Sequence, residues 1–158
     1  MKTTLIFVGK TQNKHIASLV DEYANRLSHY NLGFNLFVIP ELKNTNKKSI
    51  NQQKTEEGEA ILKMIQPTDF VALLDESGEE LSSESFSKWI NGKMNSLSKR
   101  LVFIIGGPYG FSEKIYARAN HQLSLSRMTF SHQMVRLIFL EQLYRAMTIL
   151  RGEPYHHE

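Results

Sequence analysis

The sequence predicts an α/β fold with a mostly parallel sheet flanked by helices, and three observations carry that expectation. Apolar runs of strand length alternate with stretches of helical periodicity along the whole chain. One run, Leu101-Val102-Phe103-Ile104-Ile105, breaks on Gly106-Gly107-Pro108-Tyr109-Gly110. That break brings bare backbone to the carboxyl edge of a sheet, where open α/β folds hold small ligands. The chain is also short, at 158 residues, which is one domain's worth and enough to bury roughly 70% of the surface its unfolded form exposes.

In chain order, the apolar run from Leu5 to Val8 sets a first strand over residues 3–8. A helix follows over residues 13–30, where Ile16, Leu19, Val20, Tyr23 and Leu27 recur at the spacing of one buried face. Further strands are expected over 34–39, 69–74 and 101–105 and around 123–125, with helices over 51–65, 83–96, 112–120 and 131–151. Between the second strand and the second helix, Lys43-Asn44-Thr45-Asn46-Lys47-Lys48-Ser49-Ile50-Asn51 has little to bury and is rich in turn formers, so it reads as an exposed loop leading into a helix. Phosphate steering by Lys43, Lys47 and Lys48 is the functional alternative, and it predicts salt-dependent RNA binding.

The last helix departs from the amphipathic pattern. Met134, Val135, Leu137, Ile138, Phe139, Leu140, Leu143, Tyr144, Met147, Ile149 and Leu150 wrap most of its circumference, and such a helix is buried on more than one side. One side is expected against its own sheet and the other against a second copy in a two-fold dimer, with Phe139 and Leu143 at the seam. A central helix in a monomer is the alternative.

Composition bounds the chemistry. There is no cysteine, which excludes disulfides, thiolate metal sites, Cys-ligated iron–sulfur clusters and a cysteine nucleophile. The first ten residues hold no secretory core, and no later run approaches the roughly 20 apolar residues of a membrane span, so a cytoplasmic protein is expected. A net charge of +3 and a pI near 9.1 permit contact with a polyanion without demanding it.

The glycine run after residue 105 is neither a dinucleotide fingerprint nor a P-loop. Alone it is a tight turn. With the strand ends Leu74-Asp75 and Leu125-Ser126 beside it, three loops can enclose an adenosine between backbone donors and apolar walls. His132 stands at the start of the last helix, and imidazole is the side chain that ordinarily exchanges protons near neutral pH. Arg136, Glu141 and Arg145 punctuate the same helix, and the last two, four apart, can pair on one face. A structural role suits Arg136, whereas Arg145 divides evenly between an ion pair and contact with an RNA phosphate or base. The terminus Tyr155-His156-His157-Glu158 lacks a spaced third metal ligand, so no metal is expected there; an aromatic ring and imidazoles instead suit a stacked base and its edge.

Several of these segments resemble one family. Ile105-Gly106-Gly107-Pro108-Tyr109-Gly110, Leu125-Ser126-Arg127-Met128-Thr129-Phe130 followed by His132, Glu141-Gln142-Leu143-Tyr144-Arg145-Ala146 and Pro154-Tyr155-His156-His157-Glu158 are similar to the small SPOUT-class methyltransferases that modify a pseudouridine of 23S ribosomal RNA. The similarity also takes in Val8-Gly9-Lys10 and Leu74-Asp75 with Gly78, and it agrees in total length. It implies a SPOUT-type fold with a C-terminal trefoil knot, an exception to the rule against threaded connections, and a homodimer. It further implies S-adenosylmethionine held by Leu74, Gly106, Leu125, Ser126, Arg127, Met128, Thr129 and Phe130, with the terminus reaching the substrate across the dimer. The expected reaction moves the methyl to N3 of that pseudouridine; His132, Arg145, Tyr155 and His156 are then the candidate catalytic residues, and which of His132, Tyr155 and His156 takes the proton from N3 stays open. Many members carry proline before the histidine; Ser131 here can serve as a helix N-cap instead. A SPOUT-like enzyme acting on another RNA or on a ribose hydroxyl, and a non-enzymatic nucleotide-binding dimer, are the competing functions.

Overall fold

A computed structural model of the chain describes residues 1–97 and 99–157, so Glu158 of the terminal tail lies outside the described residues. Five strands, β1 (Lys2–Val8), β2 (Phe34–Ile39), β3 (Phe70–Glu80), β4 (Arg100–Ile105) and β5 (His121–Ser124), form one parallel sheet in the order β2-β1-β4-β3-β5. Between and after them lie α1 (Lys14–Ser28), α2 (Ile50–Met64), α3 (Ser83–Ser96), α4 (Glu113–Arg118) and α5 (Met134–Arg151). The polar loop after β2 contains only a short 3-10 turn, Thr45–Lys47. Lys43 and Lys47 are exposed on that loop, while Lys48 pairs with Glu56 of α2 at 2.5 Å.

Strand alternation decides which helix covers which face. Leu5, Phe7, Ala72, Leu74, Leu101, Phe103, Ile105 and Leu123 point to one side, where they meet Val20 and Leu27 of α1, Phe86 and Ile90 of α3 and the buried stripe of α5. Ile6, Val8, Val71, Leu73, Val102 and Ile104 point to the other, against Ile61 of α2 and Ile115 of α4. A strand buried on both faces needs no polar alternation, which is why these runs read as continuously apolar. Each wholly buried side chain of this kind contributes about 1.5–3 kcal/mol. Leu19, expected on the buried face of α1, is instead 42% exposed, because the helix stripe facing the sheet is narrower than the apolar pattern.

The apolar circumference of α5 is largely satisfied within one chain. Helices α1 and α3 pack along its flanks, and the sheet lies beneath it, with the Phe139 and Phe103 rings 4.8 Å apart. Phe139 and Leu143 are completely buried in this core. The expectation that they form a seam between copies is therefore corrected: they hold α5 to its own sheet. The face of α5 left open carries Met134, Ile138, Glu141, Gln142 and Arg145. Ser131 Oγ accepts from the Met134 N–H at 3.1 Å and the Ser131 carbonyl from the Val135 N–H at 3.0 Å, so Ser131 caps the turn that leads into α5, which begins at Met134 after Gln133 rather than at residue 131.

Arg136, 1% exposed, makes no ion pair among the described residues. Its guanidinium donates to the carbonyls of Val8 (2.8 Å) and Gly9 (2.9 Å) and to Thr11 Oγ1 (2.9 Å), satisfying the end of β1, and burial lowers its pKa. The role is structural, though through strand-end carbonyls rather than a carboxylate.

β3 runs past its expected end at residue 74. Leu74 and Glu79 both align with Leu123 of β5, so residues 75–78 bow out of the ladder before pairing resumes. Gly78 rests directly on the backbone of β5, where a Cβ would come within 2.6 Å of Gln122 and 2.7 Å of Leu123. Only glycine fits between the two segments.

Candidate active site

The ends of β4, β3 and β5 lie side by side, and the loops that leave them enclose a cavity of about 690 Å³, within the size range of small-molecule sites. Its walls are Leu74 and the bowed residues from Asp75 to Ser77, the turn from Ile105 to Phe111, and the stretch from Leu123 to His132 without Arg127. Leu74, Gly106, Leu125, Ser126, Met128, Thr129, Phe130 and His132 are thus brought together as the sequence suggested. Arg127 is not: its side chain is 89% exposed and pairs with Glu80 at 3.2 Å, away from the cavity. Met128 lies at the rim, 78% exposed, and Tyr109 stands 46% exposed on the glycine turn.

Gly106 is a glycine for reasons of space. A Cβ there would stand 3.0 Å from the Phe111 ring, and Phe111 is itself a buried wall of the cavity. A side chain at Gly106 would therefore displace Phe111 as well as crowd a ligand.

The charge of the cavity is one-sided. Asp75 and Glu76 line it, and neither Lys nor Arg does. Asp75 Oδ1 accepts from the Ser77 N–H (3.0 Å) and Ser77 Oγ (2.5 Å), while Oδ2 accepts from the Tyr116 hydroxyl. Burial pushes the Asp75 carboxyl up, but these hydrogen bonds outweigh it and hold the group below its ordinary range. The Tyr116 phenol is pushed up to about 12 by burial and by its bond to Asp75. The Asp75–Tyr116 pair was not singled out from sequence. The available signal was the position of Asp75 immediately after the strand end at Leu74; nothing local pointed to Tyr116.

The remaining candidates gather where the C-terminal tail folds back on the middle of α5. Gly152 takes the left-handed conformation (φ 68°) after the helix, and the Glu153 N–H donates back to the Thr148 carbonyl at 2.9 Å, a turn that favours glycine. The chain then folds back so that the Tyr155 ring meets Tyr144 edge-on at 4.8 Å. The Tyr155 hydroxyl donates to Glu141 Oε1 at 3.0 Å and lies 3.1 Å from the Tyr23 hydroxyl. Arg145 reaches the same Glu141 oxygen at 2.5 Å, lies over the Tyr155 ring at 4.8 Å, and approaches His156 Nδ1 at 3.3 Å. A guanidinium only donates, so Nδ1 accepts and the ring proton sits on Nε2. Burial, then the bonds to Tyr23 and Glu141, push the Tyr155 phenol above its ordinary range. Glu141 is the hub of this cluster, and its i, i+4 spacing to Arg145 was the legible part.

Arg145 lies about 15 Å further along the helix than Val135, which borders the cavity. Within one chain the two groups face different regions. Among the described residues, no group of three or more His, Asp or Glu side chains is placed to hold a metal ion, and no helix is long and apolar enough to cross a membrane.

Comparison with known proteins adds to this geometry. The family model described as "Predicted SPOUT methyltransferase" matches residues 1–156. Proteins named "Ribosomal RNA large subunit methyltransferase H" are similar over full length: that of Bacteroides thetaiotaomicron is 57% identical, covering 100% of both chains. The protein of that name from Phocaeicola vulgatus is 58% identical and that from Flavobacterium johnsoniae 56%, again with 100% of each chain covered. With a parallel sheet, a ligand cavity at its carboxyl edge and a match spanning nearly every residue, the chain belongs to the SPOUT methyltransferase family.

Proposed function

We propose that this chain is an S-adenosylmethionine-dependent methyltransferase that methylates N3 of a pseudouridine in 23S ribosomal RNA, within the ribosome or its large subunit. The observation that carries the reading is the make-up of the cavity, in a chain whose full-length relatives bear an rRNA large subunit methyltransferase name. Leu74, Leu125 and Phe130 offer apolar walls to an adenine, and the backbone of the glycine turn offers donors and acceptors. Two carboxylates with neither Lys nor Arg beside them suit a ligand bearing positive charge and disfavour a phosphate-bearing one.

Bound there, S-adenosylmethionine supplies a methyl group already activated on a sulfonium. The protein's share is to align the acceptor, exclude water and remove the N3 proton. His132, on the cavity wall, is the residue we assign to that proton. Tyr155 is unsuited as base because its phenol is raised and its hydroxyl donates to Glu141. His156 has its Nδ1 lone pair occupied by Arg145, which leaves Nε2–H to donate to a base edge. The assignment of Arg145, Tyr155 and His156 to substrate handling rests on this tethered geometry.

One chain holds the cavity beside the first turn of α5 and Arg145 about 15 Å further along the helix, so a complete site needs two copies arranged so that one copy's tail approaches the other's cavity. The open face of α5, with Met134 and Ile138, supports such a homodimer. Membership of the SPOUT family supports a C-terminal trefoil knot in this chain.

The test is transfer of tritiated methyl from S-adenosylmethionine to intact ribosomes, separated subunits and free rRNA, with mass spectrometry of the nucleosides. Label in N3-methylpseudouridine from ribosomes or large subunits is expected. Label on a ribose, on another RNA, or on none overturns the reading.

A further inference from the structure

The bowed segment of β3 places one carboxylate, Asp75, in the cavity wall under unusual constraint. All three of its protein partners are neutral donors, the Ser77 N–H and hydroxyl on Oδ1 and the Tyr116 hydroxyl on Oδ2. It has no ion-pair partner among the described residues. Its position is fixed from behind: the Tyr116 ring packs edge-on against Phe111 at 5.8 Å, and Phe111 is buried against Gly106. Glu76, the other lining carboxylate, is exposed. Asp75 is therefore a held negative charge that the fold orients and leaves uncancelled, in a cavity with neither Lys nor Arg on its walls.

We propose that Asp75 reads the charge of the methyl donor and makes the cavity prefer S-adenosylmethionine over its demethylated product, S-adenosylhomocysteine. The inference rests on the cofactor reading above and extends it to selectivity. The two molecules share adenosine, ammonium and carboxylate and differ by the methyl group and the sulfonium charge; transfer of the methyl leaves a neutral thioether. A fixed carboxylate in a partly dry site attracts the first more than the second. The attraction ends when the methyl has gone, which favours exchange of product for fresh donor. Burial pushes the Asp75 carboxyl up, but its hydrogen bonds from Ser77 and Tyr116 outweigh that and hold it below its ordinary range, so the charge is present throughout neutral pH.

The test is calorimetric binding of S-adenosylmethionine and S-adenosylhomocysteine to the full chain and to Asp75→Asn, Tyr116→Phe and Gly106→Val. Asp75→Asn is expected to weaken S-adenosylmethionine about tenfold while changing S-adenosylhomocysteine less than twofold. Tyr116→Phe keeps the ring and frees the carboxylate, so it should erode the preference by a smaller factor; it also carries the test if Asp75→Asn does not fold. Equal weakening of both ligands, or no weakening of either, overturns the proposal while the cofactor site stands. If the wild type binds neither ligand, or Gly106→Val binds both as tightly as wild type, the cavity assignment itself fails and this inference fails with it.

Discussion

Asp69 and Asp75 lie six positions apart at the two ends of one buried stretch, and the fold treats them oppositely. Asp69, immediately before β3, has a side chain 1% exposed and receives Arg100 on both oxygens, at 3.1 and 2.6 Å. Arg118 braces the same corner through the Asp69 carbonyl at 3.0 Å. Asp75, at the carboxyl edge, receives only neutral donors and faces a cavity. Both carboxyls sit below the ordinary range although burial pushes each of them up: at Asp69 hydrogen bonds and the charge of Arg100 overcome burial, and at Asp75 hydrogen bonds alone do so. A charge cancelled on site belongs to the scaffold, whereas one stabilised without being cancelled remains available to a ligand.

Asp69→Asn is the strongest way to break this contrast. It leaves Arg100 without its carboxylate in a nearly closed corner and should cost about 3 kcal/mol of stability, read as a lower denaturant midpoint at pH 7. The donor-over-product preference should be unchanged. A selective loss of S-adenosylmethionine binding in that variant would mean the two aspartates do not divide the work.

Glu141 supplies a third carboxylate, cancelled by Arg145 yet still partly exposed near the middle of α5. If this cluster presents the tail to substrate, removing residues 155–158 should reduce ribosome methylation at least a hundredfold through lost alignment. Cofactor affinity and sedimentation as a dimer should stay nearly intact. Full activity of the shortened chain would remove Tyr155 and His156 from substrate handling and leave it to His132 and Arg145. Glu141→Gln loosens the same cluster without deleting it, and a fall of about tenfold in kcat on ribosomes, again with unaltered cofactor affinity, is expected.

Acid sharpens the comparison at lower cost. A carboxyl held below its ordinary range contributes stability that is full above about pH 4 and is lost as pH falls through its folded value. The denaturant midpoint of the wild type should therefore drop between pH 4 and pH 2, and Asp69→Asn should start lower and fall less steeply. Asp75→Asn, half-buried and bonded only to neutral groups, should change stability by about 1 kcal/mol or less at pH 7, the smallest effect of the series.

Much of the fold was legible because it is written in short-range pattern. Strand runs such as Leu5 to Val8 and the i, i+4 spacing of Glu141 and Arg145 fix elements within a few residues of themselves. The cavity walls at Leu74, Gly106 and Leu125 were legible for a related reason: in a parallel sheet, consecutive strand ends fall on one edge. The apolar circumference of α5 misled because pattern records how much of a helix is buried and not by what. The sheet, α1 and α3 took most of the surface, including Phe139 and Leu143, that had been expected at a seam with a second copy.

The sequence by itself determined the fold class, the ligand edge, the family and most of the cavity's apolar wall, since each depends on local periodicity or on contiguous motifs. Beyond local pairs such as Glu141 with Arg145, only the tertiary structure decided which polar groups meet. Arg100 and Asp69 stand 31 positions apart, Tyr116 and Asp75 41, Arg136 and Val8 128, and Tyr23 and Tyr155 132. No local signal chooses such partners; they are set when the sheet order and helix packing bring distant segments together, and that choice separates a structural aspartate from a binding one.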